Sequence, residues 1–219
     1  MMSIEVVSAE LARVGVMAGM RGAFPPDVAL GVADVLLEEG IHIFELTLNS
    51  ERPLEAMQAI KARYGDNAIV GMGTVLSVAD AERVLGAGAD FIVSPAFQPE
   101  VVDYVLKQGV TMIPGVLTPS ECVQAWGAGV PMLKLFPVGA LGVEYFKALY
   151  APLSHMKFLC NGAMHEKNAA EFIQHGAVGA GMGGWLTGDG TWTASRLRSR
   201  AHLLLNAIDS ARNGASFKV

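Results

Sequence analysis

Two periods of apolar residues alternate along the chain. Short, nearly continuous apolar runs read HIFELTL, AIVGM, DFIVS, TMIPG, PMLKLF, MKFLC and GAGMG. Such runs suit strands of a parallel sheet covered on both faces. Between them lie amphipathic stretches at residues 26–39, 52–64, 78–86, 99–108 and 166–175, and a final one at 193–212 is closed by Asn213-Gly214. At each joint a helical stretch ends in glycine and a strand follows within a few residues. The joints fall at Gly40, Gly65, Gly88, Gly109, Gly129 and Gly176, and a glycine-less joint lies near Ser154. Glycine suits a helix end because the closing residue commonly adopts the left-handed conformation. Successive joints are 25, 23, 21, 20 and 47 residues apart, the last gap holding the glycine-less joint. The repeat is therefore one strand plus one helix. Seven joints and an opening strand at 14–20 predict eight βα units, a (β/α)8 barrel of the TIM type forming a single domain over residues 1–219. An open doubly wound sheet is the alternative, but no G-x-G-x-x-G follows the first strand.

Composition narrows the class. Of 219 residues 52% are hydrophobic and 17% charged, with a net charge of −5, which excludes a disordered chain. No basic block offers a footprint for nucleic acid. No apolar run reaches the length of a membrane span, and the start, MMSIEVVSAE, lacks the basic region of a signal peptide. The two cysteines, Cys122 and Cys160, have no paired spacing, in keeping with a reducing cytoplasm. The five histidines show no metal-ligand spacing, and His42 and Glu45 would point to opposite faces of a strand, so no metal is expected.

In a barrel of this kind the active site lies at the carboxyl ends of the strands. Polar residues that interrupt apolar strands, or follow them directly, are therefore the candidates. Lys134 interrupts Pro131-Met-Leu-Lys-Leu-Phe-Pro137, whereas the other six lysines (61, 107, 147, 157, 167, 218) fall in helical or exposed contexts. Burial disfavours the charged form of an amine, and a neutral amine is the nucleophile that a Schiff base requires. A structural lysine paired with a buried acid is the other reading. Glu45 interrupts a second strand, with Ile43 and Thr47 on its face. A carboxyl in an apolar wall can carry protons near neutral pH, or simply neutralise Lys134. Gly71-Met-Gly-Thr74 would let backbone approach a ligand. Arg21 ends the first strand, where a guanidinium clamps a carboxylate or phosphate or lies free on the surface. Asn161-Gly-Ala163 and Gly181-Met-Gly-Gly184 follow the last two strands, where barrel enzymes frequently bind phosphate on backbone N–H groups.

Taken together, Glu-Leu-Thr-Leu-Asn-Ser (45–50), Ile-Val-Gly-Met-Gly-Thr-Val-Leu (69–76), Phe-Ile-Val-Ser-Pro (91–95), Pro-Gly (114–115) and Leu-Lys-Leu-Phe-Pro (133–137) resemble the KDPG/KHG aldolases. These are class I aldolases of 2-keto-3-deoxy sugar acids, and the resemblance runs from about Met17 to Leu186. It implies that Lys134 forms the Schiff base and that Glu45 is the general acid/base. It implies that Gly73 and Thr74 bind the pyruvoyl carboxylate, with Arg21, Asn49, Pro95, Phe136, Asn161, Gly162, Gly183 and Gly184 around the substrate. Met20-Arg21-Gly22 and Leu48-Asn49-Ser50 look like the phosphogalactonate type, since the phosphogluconate type usually has Arg at the position of Asn49. The family implies no cofactor, a small-molecule substrate and a homotrimer. The chain departs from the family pattern at Asn161-Gly162-Ala163, usually Gly-Gly, at Gly184, frequently Ser, and at residues 138–141. The expected reaction is cleavage of a 6-phosphorylated 2-keto-3-deoxy acid to pyruvate and an aldehyde such as glyceraldehyde 3-phosphate. The alternatives are the same chemistry on an unphosphorylated acid, a metal-dependent aldolase, a barrel isomerase, or a non-catalytic trimeric barrel.

Overall fold

The computed structural model describes residues 3–214; Lys218, one of the six lysines expected in helical or exposed contexts, lies outside them. A first helix, α1 (Ile4–Val14), precedes the repeat. The strands are β1 (Val16–Met20), β2 (Ile43–Thr47), β3 (Ile69–Gly73), β4 (Phe91–Val93), β5 (Thr111–Ile113), β6 (Gly115–Val116), β7 (Leu133–Leu135), β8 (Phe158–Asn161) and β9 (Gly179–Met182). Between and after them run α2 (Pro26–Glu38), α3 (Pro53–Tyr64), α4 (Val78–Gly86), α5 (Pro99–Lys107), α6 (Pro119–Gly127), α7 (Val143–Tyr150), α8 (Glu166–Gln174), α9 (Gly184–Thr187) and α10 (Ala194–Asn213).

Every pairing is parallel, in the order β5-β4-β3-β2-β1-β9-β8-β7-β6. The two outermost strands are consecutive in the chain. β5 and β6 are two halves of one barrel strand divided at Pro114, which has no N–H to give the ladder. Its carbonyl still accepts the Lys134 N–H at 2.9 Å. The nine segments therefore fill eight barrel positions around an apolar core. Gly115 is needed where this strand bends, because a Cβ there would lie 2.2 Å from the Pro95 carbonyl.

All six joint glycines have positive φ, from 52° to 110°, the conformation that favours this residue. At the glycine-less joint a single 3-10 turn (Ala151–Leu153) turns the chain instead. The start of the chain corrects the sequence reading. Val14 belongs to α1 rather than to the first strand, which begins at Val16 after Gly15. Ser3 caps α1 by accepting from the Val6 N–H, and Val7, Leu11 and Val14 bury its inner face. Arg212, near the end of α10, donates to the carbonyls of Arg13 (2.7 Å) and Ala12 (2.8 Å). A cation there meets the unsatisfied carbonyls and the negative end of the helix dipole.

Candidate active site

Where the strands end, they surround a cavity of about 220 Å³. β1 and its following residue contribute Gly19 and Arg21, β2 gives Glu45 and Thr47, and β7 gives Lys134. β8 and β9 add Asn161, Gly181 and Met182, and the last strand's loop and α9 add Gly183, Gly184 and Gly188. Lys134 Nζ stands 3.5 Å from Glu45 Oε1, with side chains 9% and 5% exposed. The amine also lies 5.4 Å from the Phe136 ring centroid, a distance at which a cation is attracted to the ring face.

The neighbouring strands make room for this carboxylate. Glu45 is in register with Gly19 on one side and Gly71 on the other. A Cβ on Gly73 would fall 2.0 Å from Glu45 Oε1. Gly73 thus provides the slot in which the Glu45 side chain lies, whereas Gly71 makes room for the Phe91 ring, 2.5 Å from where its Cβ would be. Taking two ionisable groups out of water is costly, and removing one partner of such a pair leaves the other uncompensated. Position, burial and pairing suit the two groups to attack at a carbonyl carbon and to proton transfer beside it.

The far wall is built from backbone. Thr187 Oγ1 donates to the Gly19 carbonyl at 2.8 Å, anchoring the single turn of α9 against β1 and holding Gly183 and Gly184 at the cavity. The Asn161 side chain lies across Gly181, where a Cβ would come within 2.1 Å of Nδ2. Arg21 is exposed at the rim, and among the described residues no carboxylate lies within ion-pairing distance of it.

Of the sequence candidates, Lys134, Glu45, Arg21, Asn161, Gly183 and Gly184 line this cavity. Gly73 touches it through Glu45. Asn49 is exposed and stands outside the lining, as do Thr74, Pro95, Phe136 and Gly162. Phe136 contacts the Lys134 amine, and Gly162 packs against Phe136 and Pro137. Thr74, directly after β3, is half-buried with φ 61°. A β-branched residue in that region carries strain on the order of 1–3 kcal/mol, and such strain collects at functional sites. Sequence reasoning did not pick out Thr47 and Thr187. Thr47 had a signal, since strand alternation places it on the Glu45 face. Thr187 had none, because its partner is a backbone carbonyl 168 residues away.

The two thiols do not compete for the nucleophilic role. Burial pushes Cys122 up to about 11, assisted by the neighbouring Glu121 carboxylate, and burial pushes Cys160 up further. Among the described residues there is no cluster of three His, Cys, Asp or Glu side chains fit to hold a metal ion, and no helix is long and apolar enough to cross a membrane.

With this geometry in place, the comparisons with known proteins converge. The family model described as KDPG and KHG aldolase matches residues 10–197. The chain is 36% identical over 165 residues to the 2-dehydro-3-deoxy-6-phosphogalactonate aldolase of Escherichia coli K12, covering 75% of this chain and 80% of that one. It is also 36% identical over 159 residues to the 2-dehydro-3-deoxy-phosphogluconate aldolase of Treponema pallidum, covering 72% and 75%. It superposes with a TM-score of 0.76 and 26% identity on the KDPG aldolase of Legionella pneumophila, solved with pyruvate captured as a covalent carbinolamine, covering 93% and 97%.

Proposed function

Because this chain belongs to the KDPG and KHG aldolase family, we propose that it is a carbon–carbon lyase that cleaves a 6-phosphorylated 2-keto-3-deoxy sugar acid to pyruvate and glyceraldehyde 3-phosphate. The observation that carries the reading is the buried Lys134–Glu45 pair, 3.5 Å apart on the floor of the cavity. Two relatives of equal identity act on epimeric acids, the phosphogalactonate and the phosphogluconate compounds, and both are candidate substrates.

The neutral amine of Lys134 adds to the C2 ketone of the substrate, giving a carbinolamine. Glu45 delivers the proton with which the C2 hydroxyl leaves as water, and an iminium remains. Glu45, again a carboxylate, then takes the C4 hydroxyl proton. As that oxygen becomes a carbonyl, the C3–C4 bond breaks and its electron pair flows into the iminium to form a neutral enamine. The aldehyde departs, C3 of the enamine is protonated, and water hydrolyses the imine to free pyruvate and Lys134. An iminium is the electron sink that makes a carbanion equivalent accessible near neutral pH. Gly73 and Thr74 are assigned to the pyruvoyl carboxylate, with Phe136 and Pro95 beside it. Arg21 and the backbone of Gly183, Gly184 and Gly162 take the phosphate, with Asn161 beside them and Asn49 on the rim loop. Backbone N–H groups bind anions without the hydroxyl that Gly184 lacks.

A single barrel domain over residues 1–219, a homotrimer and a cytoplasmic location complete the reading, and light scattering on the purified protein measures the trimer. The test of function is pyruvate release from the two phosphorylated acids by protein dialysed against EDTA. Turnover that survives EDTA is the expected result. Loss of turnover, restored by a divalent metal, would transfer the reaction to metal-dependent chemistry.

A further inference from the structure

Thr47 has no part in the mechanism above, yet it forms cavity wall and is only 5% exposed. It follows Glu45 by two positions on the same face of β2, so it stands about 6.6 Å further toward the mouth at the usual strand rise. With Glu45 at the reacting carbons, Thr47 lies beyond the bond that breaks, beside the aldehyde fragment.

Its hydrogen bonding is incomplete. Thr47 Oγ1 and Ser50 Oγ are 2.8 Å apart, and Ser50 Oγ also accepts the Gly22 N–H at 3.0 Å. A hydroxyl offers one proton and two lone pairs. If Ser50 donates to Thr47, the Thr47 proton is left for the cavity. If Thr47 donates to Ser50, Thr47 offers the cavity a lone pair. A substrate hydroxyl, which both donates and accepts, satisfies either arrangement, whereas a carboxylate or phosphate satisfies only the first. Ser50 meanwhile joins two loops. The Glu51 N–H donates to the Gly22 carbonyl at 2.9 Å, so both backbone groups of the residue after Arg21 are held by the β2–α3 loop.

We propose that Thr47 is a specificity-determining residue whose hydroxyl bonds the hydroxyl of the aldehyde fragment next to the new carbonyl, and that Ser50 is the positioning residue that aims it. The assignment rests on the aldolase reading. It explains how a site with a backbone-built anion end also senses the sugar chain between phosphate and ketone.

The test is the aldol addition of pyruvate to glyceraldehyde 3-phosphate and to its 2-deoxy counterpart, 3-oxopropyl phosphate, read as the ratio of kcat/KM for the two aldehydes. One neutral hydrogen bond predicts a preference of about tenfold for the hydroxylated aldehyde in the wild type. The ratio falls toward one in Thr47→Val, is retained in Thr47→Ser, and falls partway in Ser50→Ala with rescue by Ser50→Thr. A wild-type ratio of one, or an undiminished ratio in Thr47→Val, overturns the proposal. If Thr47→Val does not fold, Ser50→Ala decides, and an undiminished ratio there is equally fatal. Borohydride trapping of pyruvate on the wild type separates the two levels. A trapped protein with the wrong ratios loses only the Thr47 assignment, while a protein that traps nothing loses that assignment together with the aldolase reading.

Discussion

The two ends of the barrel differ in a way that size alone misrepresents. The larger concavity, about 530 Å³, lies at the amino-terminal end between α1 and the strand starts, lined by Val6, Glu10, Arg13, Leu37, His42, Asp66, Asn67 and Ile69. The cavity at the carboxyl end is less than half as large. Around the amino-terminal end the charges are partnered, apart from Asp66, which is exposed to solvent. Glu10 accepts from Arg13 at 2.9 Å and lies 3.1 Å from His42 Nε2, and Lys61 meets the buried Asp90 at 2.5 Å. Asp90 also accepts the Val70 N–H. At the mouth, among the described residues, Arg21 has no carboxylate partner, Lys134 and Glu45 are 3.5 Å apart with few other partners, and Thr47 keeps a free hydrogen-bonding valence. Buried polar groups are normally satisfied by their own protein. Ser8, Gln98 and Thr111 also keep an unpartnered buried atom away from the cavity, but among the described residues only at the smaller cavity do open groups converge with a buried amine and carboxylate, which favours chemistry there.

Substitutions at the two ends should therefore separate cleanly. The largest effect is expected at the nucleophile: Lys134→Met loses turnover on the order of 10⁴-fold or more, because among the described residues no other lysine lines the cavity. Steady-state cleavage assays measure it, and near wild-type turnover would place the nucleophile elsewhere. Glu45→Gln keeps imine formation with pyruvate but loses kcat by about 10²–10⁴-fold, the usual weight of a general acid/base. An unchanged kcat would remove Glu45 from proton transfer. Arg21→Met raises KM for the phosphorylated acid on the order of tenfold, the scale of one charge-assisted contact, while kcat moves less; an unchanged KM would leave the phosphate to backbone N–H groups alone. The smallest effect is at the other end. His42→Gln leaves kcat/KM within about twofold and lowers Tm by a few degrees at most, since a partly exposed hydrogen-bonded pair contributes little. A large kinetic loss from His42→Gln would mean that the amino-terminal groove takes part in function.

Much of this was legible in the sequence, and the misses have identifiable causes. The repeat could be read because each glycine joint combines a helix end, a left-handed residue and an apolar strand in a few adjacent positions. α1 escaped notice because its apolar residues run without a break into the first strand, although Ser3 and the spacing of Val7, Leu11 and Val14 mark a capped helix. Pro114 sat inside an expected strand, and only the sheet pairing reveals that it divides one barrel position into β5 and β6. Lys134 and Glu45 stood out because charge inside an apolar strand is rare. Which loop residues reach the cavity was beyond the pattern. Asn49 and Arg21 both follow strands and both are exposed, yet only Arg21 lines the cavity, a difference set by how each loop folds back.

The central claim is that Lys134 forms the imine, and the most direct measurement is mass spectrometry of the intact, folded protein after incubation with pyruvate and sodium borohydride, followed by peptide mapping. One reduced pyruvate adduct per chain, located on Lys134 and absent from Lys134→Met, is the predicted result. A folded protein that forms no adduct, or carries it on another lysine, would contradict the account and return Lys134 to a structural partner of Glu45.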